Sequence, residues 1–248
     1  MKHVITLLLI SIFSLGGCAQ DPVDIIRKAE EKMRGKESAY TEMTIQTIRP
    51  KWTRSMSLKS WGKGDELSLM VLTSPSKDAG TAFLKRGKEV WNWVPSIERS
   101  IKMPPSMMSQ SWMGTDMSND DLVRESSNVR DYTHKIVGDS TIEGRKCWKI
   151  ELTPKPEAPV VWGKLVLFVD QKDYVQLKAE QYDEDGYLVN VMNSSVIKEM
   201  DGVVMATKLE LIPVEKEGQK TVMTIDKIKF NEAYDDSFFT VENMKRMR

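Results

Sequence analysis

The chain has 248 residues, 40% of them apolar and 29% charged, with 36 basic side chains set against 36 acidic ones. That length suits one large domain or two small ones, and the composition is that of a globular chain, which excludes a disordered or collagen-like protein. A formal net charge of zero gives no electrostatic footprint for nucleic acid.

Residues 1–19, MKHVITLLLISIFSLGGCA, begin with a basic Lys2, continue with an apolar run from Val4 to Leu15 and end in small residues. This is the layout of a secretory signal peptide, and the run is too short to span a membrane comfortably. Two processing readings are open. Leu15–Cys18 reads as a lipobox, which would leave Cys18 lipidated at the new N-terminus; Gly17–Ala19 also suits ordinary cleavage, which would start the chain at Gln20. In either case Cys147 is the only thiol left in the folded body. An internal disulfide framework is excluded there, and the domain over 20–248 must be held by its core.

A helix is predicted over 21–35: Asp21 caps it, Pro22 suits the first turn, Gly35 ends it, and Ile26, Ala29 and Met33 form its apolar stripe. The period then drops to two. Strands are expected at 39–49, 51–61, 66–73, 81–87 and 89–94, and again at 147–153, 164–170, 175–183, 187–200, 203–213 and 221–230. Hairpin signals stand at 184–186, 201–202 and 215–218, so the second half is an antiparallel meander. Residues 235–248 form a short helical or irregular tail.

Between the two strand sets, residues 95–130 break the alternation with three prolines and a glycine. The segment is a long excursion with one or two short helices, capped near Ser118 or Asn119, and it is too apolar for disorder. Within it, MPPSMMSQSWMGTDM at 103–117 holds five of the sixteen methionines of the chain. Methionine is unbranched and polarizable, and suits a surface that must adapt to irregular apolar partners. A Cu(I) site of thioethers alone, at Met103, Met107, Met108 and Met113, is a weaker reading because no His or Cys assists it.

Catalytic constellations are scarce. After residue 19 the chain keeps one histidine, His134, and one thiol. That is too few ligands for a four-coordinate zinc site, and no G-x-S-x-G elbow accompanies the histidine. The glycine-rich start at 62–67 lacks a third glycine and opens no helix. The acid pairs Asp120–Asp121 and Asp235–Asp236 suit capping or solvation. The residues therefore point to a non-enzymatic protein with no cofactor and no resident metal.

The stretch EVWNWVPSIERSIKMPPSMMSQSWMGTDMSNDDLVRES at 89–126 resembles the outer-membrane lipoprotein-sorting protein family, relatives of the LolA and LolB carriers. W-x-W-x-P at 91–95, the basic link at 98–102 and G-T-D-M-S-x-D-D-L at 114–122 carry the likeness, and 74–91, 163–186 and 239–245 extend it. The resemblance implies a mainly β fold: a half-open antiparallel barrel of about eleven strands around an apolar cavity, covered by the N-terminal helix and by 95–130 as a lid. It implies a monomer in the periplasm that takes acyl chains of a lipoprotein or lipid and contacts a membrane. An outer-membrane anchor at Cys18 and an exporter of the resistance–nodulation–division class as partner fit the same picture. An accessory binding module of such an exporter, carrying no lipid of its own, is the alternative. Candidate lipid-binding residues are Trp91, Trp93, Met103, Met107, Met108, Trp112, Met113, Met117 and Leu122.

Overall fold

The structure, a computed structural model, describes residues 20–35, 37–124 and 127–247. The signal-peptide and Cys18 readings fall on 1–19, outside the described residues. Helix α1 (Pro22–Arg34) starts as expected: the Asp21 carboxylate accepts the Val23 N–H at 3.0 Å. Asp24 lies in the first turn and Lys32 and Arg34 in the last, so charge and helix dipole agree. Gly35 ends the helix at φ 70°, and a Cβ there would stand 2.5 Å from the Ser38 carbonyl oxygen. Only glycine allows the chain to turn there into the sheet.

The sheet has thirteen antiparallel strands. The first six run outward as a meander: β1 (Ser38–Arg49), β2 (Trp52–Lys63), β3 (Leu67–Ser74), β4 (Ala82–Arg86), β5 (Glu89–Val94) and β6 (Arg99–Lys102). After the excursion the other seven run inward: β7 (Tyr132–Ile142), β8 (Arg145–Pro154), β9 (Lys164–Asp170), β10 (Gln176–Tyr182), β11 (Leu188–Met200), β12 (Val203–Pro213) and β13 (Lys220–Phe230). Strand β13 then pairs with β1, with Ile45 opposite Met223, and the two meanders become one curled open sheet. Asp201 and Gly202, at φ 50° and 76°, make the tight β11–β12 hairpin that their sequence announces.

Thirteen strands replace the expected eleven, and the two additions are the sheet's edges, β6 and β7. Strand β6 has four residues, three of them exposed, and β7 buries only Tyr132 fully. Strand β6 is too short and exposed to display apolar alternation, and β7 shows it only at Tyr132 and Ile136, which pack in the α1 cluster, so periodicity passes over both.

Alternation along the strands sorts side chains to two faces. On the inner face, one cluster joins Ile45, Met56, Leu58, Leu72 and Phe83 to the excursion, and a second packs Ile25, Ile26 and Ala29 of α1 on Leu165, Leu167, Val169 and Ala179. On the outer face, Leu69, Val71, Ala82 and Leu84 are covered by Phe239 and Met244 from the C-terminal segment, which ends in helix α2 (Val241–Arg246). No helix among the described residues is long and apolar enough to cross a membrane.

Cys147 is fully buried in β8 beside Val166 and Phe168. Burial, then the Asp170 carboxylate, pushes its thiol up from the ordinary range. In chain starting at Gln20, a thiol reagent at neutral pH should therefore label Cys147 only as the protein unfolds in urea. Labelling of the folded chain within minutes would contradict this placement.

Candidate functional site

Two apolar covers lie on the inner face, α1 over β7–β10 and the excursion over β1–β5. A cavity of about 360 Å³ remains between them. This is near the small end of the roughly 300–1,000 Å³ typical of ligand sites. Its wall is rich in methionine: Met33 of α1, Met117 of the excursion, and Met43, Met70, Met192, Met205 and Met223 of the strands. Unlike leucine or isoleucine, these side chains repack at little cost in rotamer strain.

The excursion between β6 and β7 is compact. A bridge between Ser111 and Ser118 closes a loop, and inside it the Trp112 N–H donates to the Met117 carbonyl at 2.8 Å. Single turns at Pro105–Met107 and Trp112–Gly114, and a π-type turn at Asp120–Arg124, replace the short helices expected from the sequence. Ser118 caps the last of these. Its N–H and hydroxyl both donate to Asp121 Oδ2 at 2.8 Å, and its Oγ accepts the Asp121 N–H at 3.0 Å, a reciprocal capping box. Asp121 Oδ1 also accepts from the Trp162 indole at 2.9 Å and from Gln181 at 3.4 Å. Four donors thus converge on this carboxylate, which ties the excursion to β10 and to the loop before β9.

The other end of the excursion is latched by charge. The Arg49 guanidinium grips Asp116 with two bonds, of 2.9 and 3.0 Å, and donates to the Gly114 carbonyl at 3.3 Å. Thr221 donates to Asp116 at 2.7 Å and accepts its backbone N–H at 2.9 Å. Arg54 donates to the Met113 carbonyl at 3.1 Å and to Asp78 at 2.7 Å. The Asp116 side chain is only 3% exposed, so its charge depends on these partners.

Trp112 is the anchor between the two ties. It is fully buried and packs tilted against Phe83, with ring centroids 5.8 Å apart and planes at 51°. Among the described residues its indole N–H has no partner. The orphaned donor costs about 1–3 kcal/mol, whereas burying an indole of roughly 150–250 Å² contributes about 4–6 kcal/mol. Packing therefore wins, and the ring stays in.

The structure brings seven of the nine candidate residues together. Met103, Met107, Met108, Trp112, Met113, Met117 and Leu122 pack in or against one inner-face cluster, but only Met117 and Leu122 also border the cavity. Trp91 and Trp93 stand apart: they project from the outer face of β5 and pack against the C-terminal segment, while Val90 points inward to the excursion. Spacing of two puts both tryptophans on one face, but it does not say which face. The sequence reading missed most of the cavity wall, the inward methionines of β1, β3, β11, β12 and β13. Their signal was strand parity with apolar neighbours such as Ile45 and Leu211, set against the louder cluster at 103–117.

Solved structures share this architecture. A DUF1329 family protein from Desulfovibrio piger is 23% identical, with a TM-score of 0.81, over 91% of this chain and 100% of that one. A LolA superfamily protein from Nitrosomonas europaea is 24% identical, with a TM-score of 0.78, over 90% and 99%. A domain described as an outer membrane lipoprotein-sorting protein, from Vibrio parahaemolyticus, is 20% identical, with a TM-score of 0.79, over 91% and 98%. No curated protein matches. The fold is thus LolA-like, and the resemblance read from 89–126 is borne out at that level. A family model whose description reads "-like: Uncharacterized protein" matches residues 64–246, and the chain belongs to that family, DUF1329.

Proposed function

We propose that this chain is a non-enzymatic carrier of the periplasm that holds an acyl chain of a lipoprotein or lipid in the inner-face cavity, with the excursion as its lid. The observation that carries the reading is an apolar, methionine-walled cavity between two covers on a LolA-like sheet. Burying about sixteen methylenes at ~0.8 kcal/mol each would contribute roughly 13 kcal/mol. Association and ordering consume about 4–15 kcal/mol, so binding is reversible, as a carrier requires. Release then falls to a partner or a tighter acceptor. Residues 1–19 direct export, and Cys18, if retained, anchors the carrier to a membrane.

Protein purified from its own envelope fraction should yield a stoichiometric lipid on organic extraction, and its intact mass should report whether Cys18 is acylated. A fluorescent fatty-acyl probe should bind the lipid-stripped protein. Met192→Trp, which fills the cavity, should weaken that probe about tenfold or more, while Met192→Leu should leave it within about twofold. A wild-type chain that neither carries lipid nor takes up the probe would sink the carrier reading.

A further inference from the structure

The cavity wall is not uniformly apolar. Inner-face positions of three adjacent strands bring hydroxyls near one another, with a lysine beside them: Thr41 of β1 lies opposite Ser60 of β2, Gly62 of β2 opposite Ser68 of β3, and Ser68 opposite Lys85 of β4. All five residues border the cavity, and Ser194 of β11 adds a further hydroxyl from the facing meander. Thr41 is 8% exposed and Ser194 6%. Among the described residues, the side chains of Thr41, Ser60, Ser68 and Ser194 make no hydrogen bond within the protein. Ser38, Thr115 and Thr207 by contrast bond backbone carbonyls, of Glu232 at 2.6 Å, Trp112 at 2.8 Å and Val196 at 2.9 Å, while Thr47 and Tyr132, also buried, have no partner among the described residues. Thr41 and Ser194 are buried and Ser60 and Ser68 partly buried, so all four hydroxyls face the cavity, where a molecule inside it can complete their hydrogen bonds.

Charge narrows the occupant. Lys85 already donates to the Asp65 carbonyl, and Asp120 and Asp121 share the cavity wall with it. The full wall sets Lys32, Arg34 and Lys85 against Glu30, Asp65, Asp120 and Asp121, so an anionic head meets no net positive charge and carries a desolvation cost. An uncharged head with several hydrogen-bonding oxygens meets no such penalty.

We infer that this hydroxyl band reads the polar end of the cargo, an uncharged, ester-linked glyceryl head lying against Thr41, Ser60 and Ser68 with its acyl chain running past Met43 toward Met223. The inference rests on the carrier reading and adds to it the cargo's head chemistry and its orientation. A free acylglycerol and the diacylglyceryl group of a lipoprotein share that head.

The test compares 1-monopalmitoylglycerol, palmitate and hexadecane on the lipid-stripped chain. Wild type should bind the glyceride about tenfold or more tighter than palmitate. The triple variant Thr41→Val, Ser60→Ala, Ser68→Ala should lose about tenfold or more for the glyceride and keep hexadecane uptake within about twofold. Should the triple variant fail to fold, Ser60→Ala alone, at a partly exposed position, should lose about threefold to tenfold. Equal binding of palmitate and glyceride by wild type, or full glyceride affinity in the variants, overturns the inference. Uptake of none of the three ligands by wild type overturns the carrier reading instead. A diacylglyceryl-cysteine peptide distinguishes the sources: tighter binding than the free glyceride upholds the shared head and assigns it to lipoprotein, weaker binding upholds it and assigns it to free lipid.

Discussion

Truncation of Trp112 to alanine is expected to cost about 3–5 kcal/mol, which at about 2–4 °C per kcal/mol lowers the melting temperature by roughly 6–20 °C. Trp112 is fully buried and joins the excursion to Phe83 of the sheet, so its loss empties the centre of the inner-face cluster. Trp112→Phe should behave quite differently. It keeps a ring against Phe83 and removes the indole N–H that lacks a partner among the described residues. The loss of volume and the removal of the orphaned donor offset each other, and the net change should stay within about 1.5 kcal/mol. Urea denaturation of the three proteins measures both values. An alanine variant within about 1 kcal/mol of wild type would mean that the excursion is not packed on the sheet as described.

Removal of the guanidinium at Arg49 should be nearly as damaging. Arg49→Met leaves Asp116, 3% exposed, with Thr221 as its remaining side-chain donor. Stranding a buried carboxylate in this way costs about 3–5 kcal/mol. Asp116→Asn added to Arg49→Met should restore part of the loss, because no charge is then left uncompensated. A double-mutant cycle should return a coupling of about 1 kcal/mol or more. Strictly additive losses would show that the two residues do not act as one latch. If the excursion is the lid of a carrier, both single variants should also take up the acyl probe several-fold faster, with smaller changes in affinity, since the latch does not touch the cavity.

The sequence announced some of these features and concealed others for identifiable reasons. Asp21, Pro22 and Gly35 mark α1 because capping and left-handed turns depend on a few local residues. Strands in mid-sheet are equally legible, since one of their faces is buried. Strand β6 was silent because it has four residues, three of them exposed, and β7 because only its first half packs against α1 while the rest is mostly exposed. The methionines at 103–117 did point to the segment that sits on the inner face, yet most of them pack into the sheet, and the strands supply most of the cavity wall. Trp91 and Trp93 mislead for a tertiary reason: α2 and the residues before it supply an apolar partner for the outer face. Nothing local to β5 reveals that partner. The hydroxyl band was invisible because Thr41, Ser60 and Ser68 occupy different strands, and only their register joins them.

The excursion leaves the sheet from β6 and rejoins it at β7, and these two strands are the free edges. A door swings on one hinge and has a loose end. This segment has two footings and none. Were it to open as the proposed lid, it would lift only as an arch bows, and the height of an arch depends on the distance between its abutments. A force that spread or closed the edges of the sheet would then reach the span over the cavity without touching anything inside it.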